Sequence, residues 1–412
     1  MNAPNAVSSS DTPAFDVAII GSGIAGSALA CALKNSPLSV VLIESGSLAN
    51  TTPNCENSIT GFDPRVCALS LASENFLQSL GVWSSIKALR LQDYQHMHVW
   101  DGEGTAAIEF HADEVHSAHL GNIVENRIIV HTLLDSLQMS KVKLLDNAKI
   151  NSITPLNDGD YCHLINVETE RQLNVKAKVI VGADGANSFV RQHFAFKTRE
   201  WDYQHNAIVC TIETEKPHQN TAWQRFTPYG PVAFLPLAND QLCSVVWSLD
   251  KDKAELVKDI PTEAFVKKLQ YAFESKLGNV TAVSKHLGFP LVKRHSKHYL
   301  SHRVALVGDS AHTIHPLAGQ GVNLGFQDVA CLSKLIGSLN ERGRDFGVTA
   351  NLRPFERERK AENLMMQNAM SGFKNLFANQ SMPVTLIRNF AMSTLDKLPV
   401  AKEIVIKKAI GL

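Results

Sequence analysis

The sequence predicts an α/β chain, α+β overall: a Rossmann-like domain interleaved with a mixed β-sheet domain and followed by a C-terminal helical region. Three observations carry that reading. A glycine-rich turn, Gly21-Ser22-Gly23-Ile24-Ala25-Gly26, follows an apolar run. A second apolar run ends in Ala183-Asp184-Gly185, and a third, Val304–Val307, ends in Gly308-Asp309. Between the second and the third, residues 195–292 read chiefly as strands separated by Pro-Gly and Asn-Asp punctuation.

Phe15–Ile20 reads as a buried parallel strand, because its apolar residues run on without alternation. Ser27–Leu33 reads as the helix that follows, with small residues where it must lie close to the sheet. Ser39–Ile43 is a second strand, ending in Glu44. In this strand–turn–helix setting Gly21 makes the tight turn, Gly23 admits a pyrophosphate, and Gly26 lets helix and strand touch. Glu44 stands where a carboxylate would grip a ribose, although a strand-end acid in solvent reads the same way.

Val179–Val181 reads as a buried strand running into Asp184-Gly185, which alone would be a plain turn. Ser188 and Arg191 follow in the next helical turn. The third strand, Val304–Val307, is followed by Asp309, His312, His315, Pro316 and a helix ending near Ile336. Asp309 at the strand end can hold a ribitol or ribose hydroxyl. Main-chain amides at the helix start, near Gly319, Gly321, Val322 and Asn323, offer partial positive charge to the electron-rich edge of a flat ring. His312 and His315 are candidate bases, but loop histidines bonded to nearby backbone are the simpler reading.

Residues 14–93, 111–194 and 293–352 are assigned to the nucleotide-binding domain, and residues 94–110 and 195–292 to the sheet domain. Asp101-Gly102 marks a hairpin in the first of these sheet segments. His205–Glu213, Thr221–Phe226, Gly230–Pro236 and Leu242–Leu249 are its main strands, with a helix near Pro261–Ser275. Arg225, Phe234 and Trp247 are the weak candidates for substrate contact. Residues 353–412 read as helical. Arg353–Lys360 is charged and expected in solvent, and apolar residues from Phe373 to Leu412 recur at helical spacing.

The 412 residues carry 40 basic and 40 acidic side chains, so nothing points to a polyanion or nucleic-acid partner. The seven cysteines are scattered without a C-x-x-C pair, which suggests neither a metal site nor a disulfide framework. Residues 1–13 lack a basic n-region and an apolar h-region and read as a disordered tail. The chain is expected in the cytoplasm, with peripheral contact at the inner membrane as the further option.

The three fingerprints, in this order, resemble the aromatic-hydroxylase class of flavoproteins. The wording of Gly61–Trp83, Gly121–Asn126, Trp201–His205 and His312–Phe326 narrows the resemblance to the ubiquinone-biosynthesis hydroxylases of the UbiH/UbiF/VisC type. That resemblance implies FAD held non-covalently, NAD(P)H and O2 as co-substrates, and hydroxylation of a polyprenylphenol at C5 or C6 through a flavin C4a-hydroperoxide. The implied cofactor-binding set is Gly21, Gly23, Ile24, Ala25, Gly26, Glu44, Arg65, Arg127, Asp184, Asp309, Pro316, Gly319, Gly321, Val322 and Asn323. Arg65 is also readable as a surface arginine and Arg127 as a helix-face ion pair. Pro316, with His315, is the substrate-facing segment. Another flavin reaction on the same fold, and a non-catalytic flavin-binding member of a biosynthetic complex, are the alternatives. The resemblance further implies that a lipid tail leaves between the second sheet and the C-terminal helices. Those helices are either core or a docking surface for membrane or partner enzymes.

Overall fold

The computed structural model describes residues 12–104, 106–170, 172–313, 320–379 and 381–411. Five parallel strands form the heart of the first sheet, in the order Val304–Leu306, Gln172–Gly182, Ala14–Ile20, Val40–Ile43 and Lys143–Leu145. The apolar residues Val17–Ile20, Val40–Ile43, Val179–Val181 and Val304–Leu306 of the four inner strands are buried, as a doubly covered parallel sheet requires. The long strand Gln172–Gly182 continues outward into an antiparallel meander with Tyr161–Glu168 and Lys149–Asp158. Helix Ile24–Leu33 packs against helix Asn126–Asp135 and against the 22-residue helix Gln320–Glu341, which runs beyond its expected end near Ile336.

The second sheet has nine strands and is mixed: Thr221–Thr227 runs parallel to His96–Asp101, and the other neighbours are antiparallel. It takes in Leu287–Ser296 and the short strand His312–Thr313, so its edge extends past residue 292 into the third fingerprint. One face is covered by helices Lys251–Lys258 and Thr262–Ala272, which bury Ala254, Val257, Phe265 and Leu269 against it. The other face looks toward the first domain.

Helices Thr349–Ala378, Met382–Asp396 and Pro399–Ile410 complete the chain. Pro354 is the sixth residue of the first of them, where its missing N–H leaves the Ala350 carbonyl without its i→i−4 donor. Arg388 ties the middle helix down. Its guanidinium forms a buried ion pair with Asp101 (2.6 Å) and donates to the carbonyls of Leu376 and Phe377 at the end of the preceding helix.

The expectation that Arg353–Lys360 lies in solvent is corrected at Phe355 and Arg359, which are buried. Arg359 Nε meets Asp328 Oδ1 at 2.9 Å, and Asp328 Oδ2 accepts from His312 Nε2 (2.6 Å) and from the Gly308 amide (3.0 Å). Asn363 Nδ2 donates to Asp328 Oδ1 at 3.1 Å. Asp328 is wholly buried, which alone would raise its pKa; His312 and Arg359 outweigh burial and hold it below the ordinary value. Helical periodicity had no reason to single out Asp328, because a buried carboxylate on an apolar helix face is legible only through its partners.

Replacing Asp328 by Asn leaves buried Arg359 with only the half-exposed Glu362 as counter-charge and should cost about 3 kcal/mol in unfolding free energy. The Asp328→Asn, Arg359→Gln double variant should lose less than the two singles combined, read from denaturant titrations. Strict additivity would mean that the two residues stabilise the fold independently.

Candidate active site

Strand register decides what meets at this site. Ile20 pairs with Gly182 on one side and Ile43 on the other, and Gly182 pairs with Leu306. Four neighbouring parallel strands therefore end level, and Gly21, Glu44, Ala183–Asp184 and Gly308–Asp309 leave them side by side. Ligands of open α/β sheets bind at this carboxyl edge.

The glycines at this edge are required by contact. Gly21 has φ +97°, and a Cβ there would lie 2.7 Å from the Ala183 carbonyl oxygen. A Cβ on Gly26 would lie 1.9 Å from the Gly21 carbonyl oxygen. On Gly23 a Cβ would meet nothing within 4 Å, so its backbone is open to a ligand.

Three cavities adjoin along the edge. The first, about 530 Å³, is lined by Gly21, Gly23, Glu44, Lys149, Asp184 and Phe189 among others. The second, about 400 Å³, shares Gly23, Ala183 and Gly185 with it and adds Ile24, Ala25, Arg65, Arg127, Asp309, Gly321 and Val322. The third, about 610 Å³, shares Arg65 and Asn126 with the second and is walled by the second sheet through Gln224, Ala233, Leu235, Val246, Ser248 and Phe289. Helix Gln320–Glu341 starts at the second cavity, and its first amides have no partner within the helix. His315, Pro316 and Gly319 lie outside the described residues.

Glu44 accepts hydrogen bonds from the Ser22 amide (2.7 Å), the Ser22 hydroxyl (2.9 Å), the Gly46 amide (2.8 Å) and the Ser45 hydroxyl (3.2 Å). Burial raises its pKa, but these bonds outweigh burial and hold it below the ordinary value. Asp184 accepts from the Val190 amide and from Ser310 Oγ at 3.1 Å, and Ser310 Oγ also accepts from the Gly185 amide at 3.0 Å. Ser310 thus joins the second fingerprint to the third. Asp309 lines the second cavity and is exposed there, between buried Gly308 and Ser310. Desolvation raises its pKa, and His312, Arg65 and Arg294 partly offset that rise.

Arg65 sits on a loop that is itself pinned. Arg90 makes a bidentate buried pair with Glu125 (2.9 Å for each bond) and donates to the carbonyls of Asn54, Glu56 and Gly61. Asp63 then accepts from the Arg65 amide at 2.8 Å and stands 3.4 Å from Arg127. Asn323 faces away from the cavity: its side chain bonds the Ser70 amide, the Ser73 hydroxyl and the Ala68 carbonyl, so only its backbone remains at the helix start.

The three substrate candidates point to the opposite face of the second sheet. Arg225 bonds the Ala272 carbonyl (2.6 Å) and pairs with Glu274 (2.7 Å). Phe234 stacks on Phe273 at 3.5 Å between ring centroids, and Trp247 packs on Phe265. Their strand neighbours Gln224, Ala233, Leu235, Val246 and Ser248 line the third cavity instead. Side chains alternate along a strand, so a choice by size and charge picked the packed face.

Sequence reasoning missed Asn126 and Arg294. Asn126 Oδ1 is buried with no hydrogen-bond partner among the described residues, on the wall between the second and third cavities. Arg294 lines the third cavity and, with Arg191, donates to the Ala186 carbonyl. Burial and the charge of Arg294 lower the pKa of Arg191. Asn126 was visible as part of the Gly121–Asn126 wording; nothing in the Lys293-Arg294-His295 run marks the middle residue.

Residues 14–364 match the family described as FAD binding domain. The chain is 34% identical to the mitochondrial ubiquinone biosynthesis monooxygenase COQ6 of Xenopus tropicalis, across 97% of this chain and 94% of the relative. It is 33% identical to 3-demethoxyubiquinol 3-hydroxylase of Escherichia coli K12, across 96% and 98%. Among solved structures, p-nitrophenol 4-monooxygenase PnpA of Pseudomonas putida DLL-E4 shares the fold at TM-score 0.77 and 17% identity, covering 97% of this chain and 99% of that one. PqsL of Pseudomonas aeruginosa does so at TM-score 0.71 and 21% identity, covering 92% and 98%.

The lowered pKa of Glu44 has a signed consequence. Its ionised form favours the native state above the ordinary value of 4.5, and that contribution is lost as pH falls through the depressed native value. Near neutral pH, Glu44→Gln should lower the stability of the cofactor-free protein by about 1 kcal/mol. Thermal melts should show the gap closing as the solution is acidified. A gap independent of pH would remove Glu44 from the ionisable contributors.

Proposed function

Because the chain belongs to the FAD-dependent monooxygenase family of ubiquinone biosynthesis, we propose that it hydroxylates the ring of a polyprenylphenol at C5 or C6, using NAD(P)H and O2. The observation that carries this reading is the adjoining row of cavities, two along the nucleotide-binding edge and one walled by the second sheet. The chemistry FAD supplies when bound is acceptance of a hydride and delivery of one oxygen atom from O2 to an aromatic ring.

The chain's residues fit that group. Gly21 and Gly26 hold the turn, and Gly23 leaves its backbone open for a pyrophosphate. Glu44 takes a ribose hydroxyl by exchanging one of its four donors, the 3.2 Å bond from Ser45 being the longest. Asp309 faces the second cavity, where its exposed carboxyl accepts a ribityl hydroxyl. Amides from Gly321 onward, with the helix dipole behind them, meet the pyrimidine edge of the ring. Arg65 and Asn126 stand between cofactor and substrate, and the Asn126 oxygen accepts from whichever donor closes that wall.

The third cavity holds the phenol head. Val246, Leu235, Ala233 and Phe289 exclude water from it, while Gln224, Ser248 and Arg294 supply the polar contacts that orient the ring. Arg191 and Arg294, crowded at the Ala186 carbonyl beside Asp184-Gly185, offer charge to the phosphates of a transiently bound NAD(P)H. Among the described residues no helix is long and apolar enough to cross a membrane. Contact with the lipid phase is assigned to the outer faces of the last two helices, where Met382, Phe390, Val400 and Ile404 are exposed near Lys397 and Lys408.

Two measurements test this. Holoenzyme given NAD(P)H, O2 and a prenylated phenol should form product heavier by one oxygen atom, one nucleotide consumed for each; nucleotide oxidation yielding only hydrogen peroxide would refute the hydroxylase reading. Asp309→Ala should release FAD on gel filtration while retaining wild-type far-ultraviolet circular dichroism, and full retention of the cofactor would remove Asp309 from the site.

A further inference from the structure

A fourth cavity, of about 280 Å³, adjoins the third across Gln224 and Leu235, which line both. The sheet side contributes Met97 and Phe226; the C-terminal helices contribute Met370, Phe377, Met392 and Ile406. No charged side chain among the described residues lines it. Protein interiors are close-packed, and an apolar void of this size leaves its walls short of contacts that an apolar ligand restores. Its three methionines are flexible and polarisable, and so suit a long, irregular hydrocarbon.

The roof is anchored. The Arg388–Asp101 pair fixes helix Met382–Asp396, and Lys402 binds Glu114 (2.7 Å) and Asp396 (3.2 Å) to fix helix Pro399–Ile410. The cavity is therefore a built chamber under two fastened helices. Val405 lines it and is 41% exposed, so the chamber reaches the surface there, beside exposed Ile404.

We propose that this chamber binds the isoprenoid tail of the substrate, leaving the phenol ring in the adjoining cavity and passing longer tails out beside Val405. The proposal rests on the ring-hydroxylation reading. Each isoprene unit seated in it buries several methylene and methyl groups, so affinity rises by about tenfold or more for each of the first units and then levels off.

The test uses the full-length FAD-loaded protein and one phenol head carrying no, one, two or six isoprene units. Binding is followed by perturbation of the flavin absorbance, and turnover by KM. The dissociation constant should fall steeply to two units and change little beyond. Met392→Trp fills the chamber from the roof and should cut the wild-type preference for prenylated over tailless phenol at least tenfold at unchanged FAD content. Val405→Trp, at a half-exposed position that tolerates substitution, should do the same to the longer tails. Affinity independent of tail length, or a preference unmoved in both variants at full FAD content, would overturn the tail site. If no phenol is hydroxylated, the binding series still decides: tail-dependent binding abolished by Met392→Trp supports the chamber while the ring chemistry fails on its own.

Discussion

One buried carboxylate holds the architecture of the site. Asp328 receives four hydrogen bonds, from the Gly308 amide, His312, Arg359 and Asn363. The first belongs to the strand end that presents Asp309, the second to the edge strand of the second sheet, and the last two to a C-terminal helix. Three structural units of the chain therefore converge on one side chain in the nucleotide-binding core. A charge buried so completely is tolerated only because its partners are cationic or strong donors. Any shift of helix Thr349–Ala378 must break these bonds or carry Gly308 and Asp309 along with it.

The cavities follow from that fixed frame. Level strand ends bring the three fingerprints together, Ser310 locks the second to the third, and Arg90–Glu125 fixes the loop that carries Arg65 between the second and third cavities. The second sheet then divides its labour by face. Large aromatics on one side pack against two helices and give the sheet its stability. Smaller side chains on the other leave room for a ring.

Much of the nucleotide edge was legible in the sequence, because backbone requirements write themselves into residue type. Gly21 and Gly26 admit no side chain, and Glu44, Asp184 and Asp309 each end an apolar strand. The cavity-lining face of the second sheet was not legible in the same way. Strand alternation was plain in residues 221–249, but which parity faces the cofactor depends on where the covering helices Lys251–Lys258 and Thr262–Ala272 dock. Arg225, Phe234 and Trp247 drew notice through size and charge, the same properties that suited them to packing. Asp328 and Arg388 escaped for a related reason: each is a charged residue in a helical segment, indistinguishable from a surface position until its distant partner is in place.

The proposed function and the proposed tail site together require flavin, ring and tail to occupy adjoining cavities in that order. The most direct measurement is a crystal structure of the FAD-loaded protein with a short-tailed prenylated phenol. The expected result is the pyrophosphate over Gly23, the flavin ring against Gly321 and Val322, the phenol between Arg65 and Val246, and the tail crossing Gln224 and Leu235 toward Met392. A phenol bound on the far face of the second sheet, or a flavin ring out of reach of the chamber walled by Val246 and Phe289, would contradict it.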